Sequence, residues 1–136
     1  MDNIILNTAL IRNLSNRHAV NLGQLDWIFQ DLAARVMSRL DYIKLNPARI
    51  VDCGSGRGLD RDLLVKKFPD SQLIELDVAL ETLKLRQAPT QGMLSKLFKK
   101  STVPTLLCAD ANHLPLATAS IDFAYANLLL PYISDI

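Results

Sequence analysis

The residues most able to do chemistry cluster in one run, Val51-Asp52-Cys53-Gly54-Ser55-Gly56-Arg57-Gly58. The apolar stretch from Arg49 to Cys53 reads as a buried strand, and Leu59 to Phe68 as a helix. The glycines therefore fall where a strand turns into a helix. Glycine there lets the backbone turn tightly and lets a ligand approach the main chain. Backbone N–H groups at the start of the helix are expected to stay unpaired and to face that ligand. The spacing Gly54-x-Gly56-x-Gly58 is not the dinucleotide pattern G-x-G-x-x-G, since Leu59 occupies the place of its third glycine. A P-loop would need Gly-Lys-Ser/Thr, which is absent. Asp52, two positions before the first glycine, suits a ligand with positive charge better than a pyrophosphate.

The elements that carry this loop follow from periodicity. The first twenty or so residues show no regular pattern. From Gln24 to Leu45, Leu25, Ile28, Phe29, Leu32, Val36, Leu40 and Ile43 recur at spacings of three and four. That predicts one helix, ended by Asn46-Pro47. Further strands are predicted at Leu73–Asp77, Thr105–Cys108 and Ile121–Ala126, with a helix at Leu80–Arg86 and a short one at 94–99. Strands alternating with helices predict a mostly parallel α/β sheet. With 49% hydrophobic and 21% charged residues in 136, the chain reads as one soluble domain, neither a disordered tail nor a disulfide-built scaffold. Fifteen basic against fourteen acidic residues give net +1, with no global signal for nucleic acid or membrane. Cys53 and Cys108 lack metal-type spacing and are expected to be buried free thiols; no metal site is expected. The apolar patch Ile4-Ile5-Leu6 is too short for a bilayer, and no signal-peptide pattern is present, so the cytoplasm is the expected compartment. Trp27 is expected in the core or over a ligand, and His18 and His113 at the surface. The basic residues Lys84, Arg86, Lys96, Lys99 and Lys100 read as a solvated helix face, or as a surface steering an acidic partner.

The run from Val51 to Gly58 resembles the first motif of class I S-adenosylmethionine-dependent methyltransferases. Asp77, at the end of the second strand and nineteen residues after Gly58, matches the acid that holds both ribose hydroxyls. Ala109-Asp110-Ala111, after the third strand, matches the acid that accepts from the adenine amino group. Leu114-Pro115-Leu116 and Ser120-Ile121-Asp122-Phe123 match the usual run into the fourth strand, and Asn127-Leu128-Leu129-Leu130 its carboxyl end beside the methyl donor. The resemblance implies S-adenosylmethionine as cofactor, with Asp52, Gly54, Gly56, Gly58, Asp77, Asp110, Ala111 and Asn127 as its binding residues. Within the class, Arg39 to Leu45, Cys108 to Ala111, Asn127 to Leu130 and Ser134-Asp135 look most like the malonyl-acyl-carrier-protein O-methyltransferases of biotin synthesis. That implies an acyl carrier protein as partner and a carboxylate as acceptor. Such an acceptor is already deprotonated, so no catalytic base is assigned. Four departures stand out: Ser55 where cysteine is usual, Arg57 where threonine is usual, Glu75 where a small residue is common, and no tyrosine between Val20 and Asp26. Arg57, cationic beside a sulfonium site, is expected to point away.

The implied architecture is a Rossmann-like sheet ordered 3-2-1-4-5-7-6 under an N-terminal helical lid, here stopping after the fourth strand. Residues 1–46 read as lid and helix, and 47–136 as the cofactor-binding half of a single domain. Three accounts of that length are open: a fragment with impaired transfer, a homodimer through the fourth-strand edge, or a non-enzymatic cofactor-binding or assembly protein on the same fold. A nicotinamide dehydrogenase is disfavoured by the glycine spacing.

Overall fold

The computed structural model describes residues 7–19, 22–86 and 103–133. Four short runs form one sheet: β1 (Arg49–Cys53), β2 (Gln72–Asp77), β3 (Thr105–Cys108) and β4 (Phe123–Tyr125). Their order is β3-β2-β1-β4, and every pairing is parallel. This is the opening order of the expected sheet. Parallel neighbours cannot be joined by a tight turn, so the chain must cross a face between strands. α3 (Arg61–Lys67) makes that crossing from β1 to β2, and α4 (Leu80–Lys84) starts the one from β2.

Alternation along the strands divides the core. Ile50, Leu73 and Tyr125 face one side and pack with Leu64 of α3, with Phe68 just after it and with Met37. Val51, Cys53 and Leu76 face the other, with Leu107, Ala111 and Leu129 against them. Ile50, Leu64 and Leu76 are each only 1% exposed, and each such burial stabilises by about 1.5–3 kcal/mol. The register also aligns Glu75, Asp52 and Tyr125 side by side across β2, β1 and β4. They share the α3 face and are all buried. Asp122 ties the strand starts together, its Oδ2 accepting from the N–H groups of Ala48 (3.0 Å) and Arg49 (2.8 Å).

The N-terminal segment departs from the irregular reading. It forms α1 (Thr8–His18), whose first turn is capped by Asn7 Oδ1 accepting from the Leu10 N–H at 3.1 Å. Asn16 on this helix accepts from the Glu81 N–H at the start of α4. Part of its docking is polar, which is why no apolar stripe announces it. The long helix is also shorter than expected. A 3-10 turn at Leu22–Leu25 leads into α2 (Asp26–Arg39), and Leu40–Tyr42 tightens into another. Val36 and Leu40 still pack on the core, but Ile43 is extended and 54% exposed. Two further expectations change. Trp27 is 67% exposed rather than core, and Cys108 is exposed while Cys53 is buried. His113 is exposed, as expected. The helix predicted at 94–99, Lys96, Lys99, Lys100, Ser134-Asp135 and the His18 side chain lie outside the described residues.

Candidate functional site

At the carboxyl ends of the strands a cleft of about 250 Å³ opens, near the lower end of small-molecule sites, which run from about 300 Å³. Gly54, Gly56, Asp77, Asp110, Ala111 and Asn127 all line it. Six of the eight sequence-derived residues therefore meet in one place. Asp52, buried in β1, and Gly58, at the far end of the glycine loop, are not part of the cleft wall.

The loop turns through three positive φ angles, 71° at Gly54, 49° at Gly56 and 73° at Gly58. Four of its N–H groups are paired within the protein. Gly54 and Ser55 both donate to the Leu76 carbonyl, at 2.8 and 3.0 Å, and Gly58 donates to Ser55 at 2.8 Å. Gly56 donates to Asp77 Oδ2 at 2.8 Å. These four bonds set the shape of the loop. Asp77 Oδ1 accepts from the Ala79 N–H at 2.8 Å. Each oxygen of a carboxylate has two acceptor positions, so both oxygens keep one for a ligand. A vicinal diol would satisfy both.

Asp110 follows β3. Its Oδ1 accepts from the backbone N–H and the side-chain amide of Asn112, at 2.9 and 2.8 Å. Partial burial opposes its ionisation, but these bonds, a Thr8 contact and nearby His113 outweigh it and hold the carboxyl below its ordinary range. Leu76, Val78 and Ala111 supply apolar wall beside these two acids. A flat heterocycle with an amino group, carrying a ribose, fits that pair of acceptors. Asn127 lies close enough to Asp60 to favour its ionised form, against the burial that raises it. Leu128, next on the wall, is a non-glycine residue at φ 60°.

The lid closes the other side. Thr8, Ile11 and Ser15 of α1 and Asp26 and Phe29 of α2 reach the cleft. Arg57 swings from the loop to Asp26, Nη2 to Oδ2 3.2 Å, where Gly23 leaves it room. Arg57 and Asp26 both line the cleft, so the charge is paired at the wall rather than turned away from the site as expected. Nothing local announces this pair, because its partners lie on the lid and the loop. Beneath the loop, Asp52 is pushed up to about 8, first by burial, then by the negative charges of Asp60 and Glu75, with Arg86 pulling back. Burial also raises Cys53, with Asp52 adding to it. Tyr125 is raised by burial and by Asp60.

A parallel sheet with a glycine turn after β1 and acids closing β2 and following β3 defines a methyltransferase domain. The chain belongs to that family: the profile described as "Methyltransferase domain" matches residues 51–136. Its relatives are more particular. It is 35% identical over 127 residues to a malonyl-[acyl-carrier protein] O-methyltransferase of Laribacter hongkongensis (strain HLHK9), covering 91% of this chain and 42% of that protein. It is 30% identical over 136 residues to the protein of the same name from Gallionella capsiferriformans (strain ES-2), covering 100% and 46%. The chain spans less than half the length of these curated relatives. Among solved structures it resembles magnesium protoporphyrin IX methyltransferase from Synechocystis PCC 6803 with bound SAM, at TM-score 0.64 and 20% identity, over 96% of this chain and 66% of that one. That likeness is one of fold.

Proposed function

We propose that the cleft holds S-adenosylmethionine and that the chain serves methyl transfer to the free carboxylate of a malonyl group on an acyl carrier protein. The observation that carries the cofactor reading is Asp77, with one acceptor position left on each oxygen at the mouth of β2. Asp77 takes the ribose hydroxyls, Asp110 the adenine amino group, and Ala111 and Leu76 the ring faces. The bound cofactor supplies an activated methyl group on a sulfonium sulfur. The protein's part is to orient and to exclude water. Ordering two reactants at near-attack distance lowers a barrier by as much as ~7–11 kcal/mol in well-oriented cases. Helices α1 and α2 supply the cover. Asp26 neutralises Arg57, so the loop does not oppose a cationic donor.

The acceptor assignment rests on the relatives' names and on the sequence resemblance. The compartment that goes with it is the cytoplasm; among the described residues no helix is long and apolar enough to cross a membrane. A homodimer through β4, which among the described residues pairs on one side only, would cover its exposed edge. Titration calorimetry with S-adenosylhomocysteine tests the cofactor, and transfer of labelled methyl to malonyl-acyl carrier protein tests the reaction. No heat with a folded sample refutes the cofactor reading. Binding without transfer leaves the cofactor reading standing and refutes transfer by this chain alone. Native mass tests the dimer, and a monomer refutes it.

A further inference from the structure

A band of buried charge lies under the glycine loop, and cofactor binding as described makes no use of it. Glu75 is 0% exposed, in a strand position where an apolar side chain is the ordinary choice. Arg61 of α3 donates to it from Nε, at 3.1 and 3.0 Å to the two oxygens, and again from Nη2. Arg86, its side chain 5% exposed, donates from Nη2 to Glu75 Oε1. The other end of the same guanidinium faces the loop. Nη1 donates to the Ser55 hydroxyl at 2.9 Å and to the Gly56 carbonyl at 3.0 Å. Arg86 is therefore neither solvated nor available to steer a partner, as a surface reading of the basic stretch would have it. A guanidinium is a rigid planar fork, so its bonds fix the spacing between β2 and the loop. Gly58 completes the fit, since a methyl there would lie 1.7 Å from Nη2. As a source of stability the arrangement is poor. Desolvating such charges costs several kcal/mol per ion, and apolar replacements of similar volume are often at least as stable. Its placement suits a different task.

We propose that Arg86 is the positioning residue of the glycine loop and that Glu75 is the anchor holding Arg86 in place. This deepens the cofactor reading and rests on it. Arg86 grips the carbonyl of Gly56, and the N–H of the same residue meets Asp77. With Ser55 held on one side and the Gly56 carbonyl on the other, the Gly56 N–H between them stays directed at Asp77, and with it the direction in which that carboxylate presents its remaining acceptor positions.

The test compares Arg86→Met, Arg86→Lys and the wild-type chain in two measurements. One is S-adenosylhomocysteine affinity by calorimetry. The other is amide exchange at Gly56 relative to Val51 in the core strand, by nuclear magnetic resonance. For Arg86→Met the expected results are affinity lower by about tenfold, what one charge-assisted hydrogen bond is worth, and faster exchange at Gly56 than at Val51. Arg86→Lys is expected to recover part of both. A merely structural role would speed exchange at both amides together. If Arg86→Met does not fold, the Glu75→Gln/Arg86→Met variant removes both charges and is expected to show the same two changes. A folded variant with wild-type affinity and unchanged Gly56 exchange overturns this inference alone. A wild-type chain that binds no S-adenosylhomocysteine overturns the cofactor reading and this inference with it.

Discussion

Alanine at Gly54, Gly56 and Gly58 in turn separates two costs that the loop otherwise combines. All three residues have positive φ, where an L side chain costs about 1–2 kcal/mol. At Gly56 the added methyl meets nothing nearer than the Gly54 carbonyl oxygen at 3.9 Å, so strain is the whole penalty. At Gly54 it would stand 2.7 Å from Leu129 Cδ1. That is the end of a flexible side chain, which can turn aside for about 1 kcal/mol. At Gly58 it would stand 1.7 Å from Arg86 Nη2 and 2.2 Å from Cζ. The guanidinium cannot move without leaving Glu75, Ser55 and Gly56, and breaking a buried ion pair costs about 3–5 kcal/mol. The expected losses are about 1–2 kcal/mol for Gly56→Ala, about 2–3 for Gly54→Ala and about 4–7 for Gly58→Ala. A small domain has about 5–15 kcal/mol in total, so Gly58→Ala is expected to stand near the edge of unfolding. Urea unfolding followed by far-ultraviolet circular dichroism measures the series. In an Arg86→Ala background the added cost of Gly58→Ala is expected to fall to strain alone. Equal losses at all three glycines, or no relief in that background, would refute the placement of Arg86.

Other expectations concern the acids. Asp77→Ala removes the acceptor of the Gly56 and Ala79 N–H groups and the proposed ribose contacts. Calorimetry is expected to show at least an about tenfold loss of S-adenosylhomocysteine affinity, and unchanged affinity counts against the ribose role. Asp52 is held at about 8 when folded against an ordinary 3.8, so the native state binds the extra proton between these values. Its contribution to stability is full below about 3.8, falls as pH rises to about 8 and is level above. Asp52→Asn is expected to abolish that fall in a melting-temperature profile, and a profile with the same slope in both proteins refutes it. Asp26→Asn releases the partner of Arg57. It is expected to weaken S-adenosylmethionine more than S-adenosylhomocysteine, since only the former has a sulfonium charge; equal losses by calorimetry sink the neutralising role.

What was legible in the sequence was local. β1 shows itself because Ile50 and Val51 end abruptly at glycine, and β2 because its apolar run closes on Asp77. The acids that follow strands land in the cleft because strand ends converge there. α1 was hidden because Asn16 uses a polar contact with α4 where an apolar stripe would have been visible. The Glu75 cluster was hidden for another reason. Arg61 lies fourteen residues before Glu75 and Arg86 eleven after it, so no periodicity links them; only the choice of sheet face brings them together. Arg86 looked like one cation in a basic run, and its burial depends on the glycine above it. Arg57 and Asp26 likewise meet only when the lid is laid over the loop.

Leu128 has a consequence for selection. Its left-handed backbone is one that a leucine occupies at a cost of about 1–2 kcal/mol and a glycine occupies freely. Yet this leucine is one of the residues that line the cleft. Fold and ligand therefore want different residues at this position. A library screened for heat resistance alone would drift toward glycine or asparagine there and open the wall. One screened for cofactor retention would keep the leucine and tolerate the weaker backbone.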